Sequence, residues 1–176
     1  MAQQLICPEC DEETEDFVTL QHFLSPFRNL VSCSCGLVLK PSEGSFNDYE
    51  LGNDLHVGIV NSESFVYSFW TNGISKENLG WDDCLLFTEF TNDLNSFDAK
   101  LRDFVSLKQE VFQSKHYNDE LWNCFDFVIE FLKFIDFSNY SKEKLVNDLI
   151  GEPLRKAVKH IALLKRVRKD RWVKLS

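Results

Sequence analysis

With 176 residues, 44% of them hydrophobic and including sixteen phenylalanines and four tryptophans, the chain can bury one substantial core, and its length predicts one domain. That composition excludes a disordered tail. No window approaches the roughly 18 apolar residues of a membrane span, and the opening MAQQLICPEC lacks the basic and apolar regions of a secretory signal, so the expectation is a cytoplasmic or nuclear protein. The net charge of −9 hides an asymmetry, because residues 1–100 carry 17 acids against 4 bases and residues 101–176 carry 11 against 15.

The amino-terminal region is punctuated by cysteines. Cys7-Pro8-Glu9-Cys10 is followed after 22 residues by Cys33-Ser34-Cys35-Gly36. In a reducing compartment such thiols are ligands, nucleophiles or core residues rather than disulfides. Two cysteine pairs on turns suit a tetrahedral zinc ion, with Cys7, Cys10, Cys33 and Cys35 as ligands; four protein ligands leave no open position, so the zinc is structural. The alternative is that some of these thiols pack or stay free. The expected organisation is a cysteine-rich, zinc-stapled lobe over residues 1–40 packed on a main domain over 41–176.

Residues 36–40, 55–60, 64–70 and 84–90 read as strands, bounded by Pro41 and by Asn, Ser and Gly. Cys84 reads as a buried strand residue and Trp81 as packing. Asn95 or Ser96 can cap a helix whose Phe97, Leu101, Phe104, Val105, Val111 and Phe112 keep the helical period to about residue 114. From Leu121 to Phe137 apolar residues fall on every side of a helical wheel, which predicts a helix inside the protein. Ser141 offers the next cap. The last helix carries a stripe of Leu154, Ala157, Val158, Ile161 and Leu164, with Arg155, Lys156, Lys159, Arg166 and Lys169 largely outside it. Those bases read first as a solvated face, with nucleic acid or acidic lipid as the alternative contact. Strands followed by helices predict an α+β fold, a small antiparallel sheet packed on helices.

Two residues carry the candidate chemistry. Cys124, in Leu-Trp-Asn-Cys-Phe, opens the buried helix, where free amides and the helix dipole favour a thiolate. His56, in Asp-Leu-His-Val-Gly-Ile, sits on a strand from which an imidazole could meet that thiol and act as base and then acid, with the Cys124 amide in an oxyanion hole. Histidine on a strand before cysteine on a helix reverses the order of papain. It resembles the circularly permuted papain-like fold of lecithin:retinol acyltransferase-like proteins and permuted papain-fold peptidases, in which an H-x-G-I strand and an Asn-Cys dipeptide carry the pair. In that resemblance a polar residue on the following strand orients the histidine, and the matching position here is Ser68, a weak orienter.

A wider resemblance spans residues 33–173. Gly36-Leu37-Val38-Leu39-Lys40-Pro41, the Asp54–Ile59 segment, Val66-Tyr67, Gly73, Gly80-Trp81, Asn123-Cys124 and the basic tail helix resemble the makorin-2 opposite-strand protein family. This implies a small intracellular protein and brings no established substrate. Two functions follow from the sequence. One is a non-catalytic or weakly active interaction module, a pseudoenzyme engaging a protein partner. The other is a cysteine-dependent hydrolase or acyltransferase with Cys124 as nucleophile and His56 as base.

Overall fold

The fold is given by a computed structural model, described for residues 25–32, 35–90 and 93–170. Five strands form one antiparallel sheet in the order β4-β3-β2-β1-β5. They are β1 (Gly36–Pro41), β2 (Leu55–Val60), β3 (Val66–Trp70), β4 (Gly73–Glu77) and β5 (Leu85–Glu89). The expected strands are present with ends shifted by no more than two residues. β4 was not expected. Its Gly-Ile-Ser-Lys-Glu offers one large apolar side chain and hence no alternation to read, yet an edge strand needs little more once β3 supplies a partner. A tight turn joins the two where Trp70 pairs with Gly73, whose φ of 100° lies in the left-handed region open to glycine.

Helix α1 (Leu94–Lys108) begins two to three residues before the expected position because Asp93 is the cap, accepting a bond from the Ser96 amide at 3.1 Å. α2 (Cys124–Phe134) is closed by a reciprocal capping box. Asn123 Oδ1 accepts from the Phe125 amide at 3.0 Å, and Asp126 Oδ2 accepts from the Asn123 amide at 2.7 Å. Ser141 caps α3 (Lys142–Leu145) as expected, accepting from the Lys144 amide at 3.1 Å. A π-helical segment, Val146–Ile150, leads into α4 (Gly151–Asp170). On α4, Ala157 and Ile161 are buried while Arg155, Lys156, Lys159 and Arg166 are exposed, so the expected stripe packs and the bases face outward. No helix among the described residues is long and apolar enough to cross a membrane.

The sheet separates two cores. Leu37, Leu39, Val57, Ile59, Tyr67, Phe69 and Leu85 face the helices and join Phe97, Phe104, Phe127 and Phe131. Phe104 is the hub, its ring centroid 5.3 Å from those of both Phe127 and Phe131. The opposite face gathers Leu30, Val38, Val60, Val66, Trp81 and Cys84. β1 pairs with both β2 and β5, so the expected boundary after residue 40 falls inside a strand of the main sheet. Cys7, Cys10 and Cys33 lie outside the described residues.

One buried carboxylate ties the layers together. Asp98 of α1 accepts from the Ser62 amide at 3.0 Å and from the Ser62 hydroxyl at 2.6 Å, and the Cys35 thiol donates to it at 3.9 Å. Bonds to an ionised acceptor are the stronger kind. They fix α1 against the β2–β3 turn.

Gly58 is where the second core leaves no room. A Cβ there would lie 2.4 Å from Val66 Cγ1 and 3.1 Å from the Trp81 ring. Gly58→Ala is therefore expected to lower stability by about 1–3 kcal/mol through overpacking, read as a lower urea midpoint with unchanged slope.

Candidate functional site

His56 lies on β2, on the sheet face away from the helices. It is 5% exposed. Its cross-strand partner on β1 is Lys40, and its ring meets Trp70 edge-on at 4.3 Å and Trp81 at 5.5 Å. Nε2 shares a 3.0 Å hydrogen bond with Ser68 Oγ, which shares another of 2.9 Å with Ser75 Oγ on β4. Nδ1 is buried and has no hydrogen-bond partner among the described residues. Burial, with the positive charge of Lys40 adding to it, lowers the imidazole pKa to about 3. His56 is neutral at physiological pH.

Cys124 lies on the other face. Its side chain is 3% exposed and belongs to the helix-side core with Val57 and Ile59. The backbone around Val57, Phe125 and Cys124 and the charge of Lys142 favour the thiolate. Burial nevertheless dominates and pushes the thiol up to about 11. The helix-terminal effect expected to produce a thiolate is present and outweighed.

The expected contact between His56 and Cys124 is not formed. Successive strand residues point to opposite faces: Val57 meets the cysteine, so His56 cannot. Ser68 occupies one ring nitrogen, and the other touches no donor or acceptor among the described residues. Of the expected trio, His56 and Ser68 are brought together and Cys124 is separate. Cys35, an expected zinc ligand, is fully buried with its thiol 3.9 Å from Asp98 Oδ1. Trp81 and Cys84 are core residues as expected. Trp122 stacks on Phe112 at 5.1 Å and 11° between planes.

Beside Cys124 opens a cavity of about 750 Å³, lined by Glu43, Asp54, Trp70, Tyr117, Asp119 and Asn123 among others. Two ordered loops shape it. The β1–β2 loop is closed by the Ser42 amide donating to the Asp54 carbonyl at 2.9 Å and anchored by buried Phe46 and Tyr49. The loop before α2 is held by reciprocal Asn118–Trp122 backbone bonds of 2.8 and 3.0 Å. Tyr117 touches Trp70, ring centroids 5.7 Å apart. Burial raises the Tyr117 phenol pKa, and Cys124, Asp119 and Asp54 raise it further. Sequence reasoning missed this site. Its acids come from three separated positions with no local periodicity, and the acidic excess of the first hundred residues is the one hint the sequence carries.

Comparison with known proteins gives two matches. The family model described as DUF4796 C-terminal matches residues 22–167. The "MKRN2 opposite strand protein" of Homo sapiens is 27% identical over 136 residues, covering 72% of this chain and 59% of the human protein. The chain thus spans less than two thirds of the length of that curated relative. No solved structure matches.

The buried histidine makes stability pH-dependent. Its folded pKa is depressed below the ordinary 6.5, so the unfolded chain takes up the proton first. The stabilisation is complete above about pH 6.5 and is lost as pH falls toward 3. Between about pH 7.5 and 5 the wild type is expected to lose about 2 kcal/mol more than His56→Gln in urea denaturation. Parallel losses in the two proteins would contradict this.

Proposed function

The chain belongs to the DUF4796 C-terminal family, and from that premise we propose that it is a non-catalytic interaction module, a permuted papain-like scaffold without a working cysteine–histidine pair. The order of elements supports the scaffold: the His56-Val57-Gly58-Ile59 strand precedes the Asn123-Cys124 helix and packs against it. The observation that carries the non-catalytic reading is the sheet between His56 and Cys124. Nucleophilic catalysis needs the base within about 2.6–3.2 Å of the nucleophile, and here the imidazole is engaged by Ser68 on the far face while the thiol stays protonated. In the proposed module, the cavity at the start of α2 is the binding surface. A structural zinc on Cys7, Cys10, Cys33 and Cys35 belongs to this proposal as a staple for the amino-terminal region.

One feature favours the second reading, a cysteine-dependent hydrolase or acyltransferase: Cys124 lines an open cavity at a helix N-terminus. Alkylation separates the two. Iodoacetamide labelling of Cys124, followed residue by residue by mass spectrometry across pH, is expected to be slow, to have its midpoint near 11, and to be the same in wild type and His56→Ala. A midpoint below about 8.5 that rises when His56 is removed would establish a thiolate–imidazolium pair and replace the module by the enzyme.

A further inference from the structure

We infer that the cavity beside Cys124 receives a cationic side chain, a lysine ammonium or an arginine guanidinium presented by a peptide segment of a protein partner. This rests on the binding-module reading and adds the chemistry of what is bound. Every formally charged residue of the lining, Glu43, Asp54 and Asp119, is an acid. No ion pair among the described residues neutralises any of the three. The nearby Lys142 is held by Asp126 at 2.8 Å and by the Glu120 carbonyl at 3.1 Å.

The acids do not stand alone. Trp70 and Tyr117 form an aromatic wall in the same cavity, and the faces of such rings attract cations, tryptophan most strongly. An anionic ligand has no comparable seat. The amides at the start of α2 that would hold it are engaged by Asn123 and Asp126 in the capping box. A neutral apolar ligand would make no use of the three exposed carboxylates.

The rim distinguishes a peptide from a free amine. Leu51 is 79% exposed beside the lining residue Gly52, and Leu121 is 75% exposed between Asp119 and Asn123. Both sit on the loops that shape the cavity. A lysine or arginine delivered from a peptide can enter while its apolar neighbours cover these leucines, whereas a free polyamine uses the carboxylates alone.

The test is calorimetric titration of the full chain with acetyl-Ala-Leu-Lys-Leu-Ala-amide, with the same peptide carrying arginine or norleucine in place of lysine, and with spermidine. The lysine and arginine peptides are expected to bind saturably, and norleucine about tenfold or more weakly. Glu43→Gln with Asp54→Asn, isosteric changes at exposed positions, are expected to weaken the lysine peptide by about tenfold, and added salt to weaken it further. Norleucine binding equal to lysine would overturn the cationic ligand while leaving the module intact. Spermidine binding with no peptide binding would overturn the protein source, and no binding by any of the four would overturn the site. None of these outcomes depends on Cys124 reactivity, so the non-catalytic reading stands or falls separately.

Discussion

Strand β2 is covered on both faces, and the two-residue alternation of its side chains partitions the molecule. Val57 and Ile59 face α2 and the aromatic core; His56, Gly58 and Val60 face Trp81 and its neighbours. A slip of one residue in register would exchange the two sets, placing an imidazole among phenylalanines and two β-branched side chains against Trp81. Six consecutive β1–β2 pairs from Gly36↔Val60 to Pro41↔Leu55 resist that slip. The same alternation that makes the fold unique separates the histidine from the cysteine.

Each half of the separated pair has a physical account that needs no catalysis. His56 joins Ser68 and Ser75 in a chain of hydroxyl contacts across three strands, between two tryptophan rings. Its unpartnered Nδ1 is a cost borne at a buried position, and neutrality of the ring reduces that cost. Cys124 packs as a small hydrophobe against β2. The glycine of the H-x-G-I segment is explained in the same way, since Trp81 and Val66 fill the space a side chain would need.

The polar groups that do organise the site are outside that pair. Asp98 fixes α1 to the β2–β3 turn, the capping box fixes the start of α2, and the Lys142–Asp126 ion pair at 2.8 Å holds α3 to it. With α2 capped and tied to α3, and the β1–β2 loop anchored through buried Phe46 and Tyr49, the walls of the cavity are built on packed elements. Such preorganisation reduces the ordering cost of binding.

By itself the sequence determined the elements whose signals are local. Alternation in Leu55–Val60, the all-round apolar run after Leu121, the Ser141 cap and the stripe on the last helix each depend on neighbours within a few residues, and each was legible. β4 was not, because one isoleucine in five residues carries no period, and Asp93 displaced the expected caps because three polar candidates stood within four residues. Only the tertiary structure decided the site. A side chain's face is a property of register, which is fixed by pairing across the sheet, so His56 and Cys124 could be placed on a strand and a helix from sequence but not on the same or opposite sides. The cavity joins Glu43, Asp54, Trp70, Tyr117 and Asp119, residues up to 76 positions apart by their numbering (119 − 43), and no local pattern encodes a meeting that hairpin closure and helix docking create.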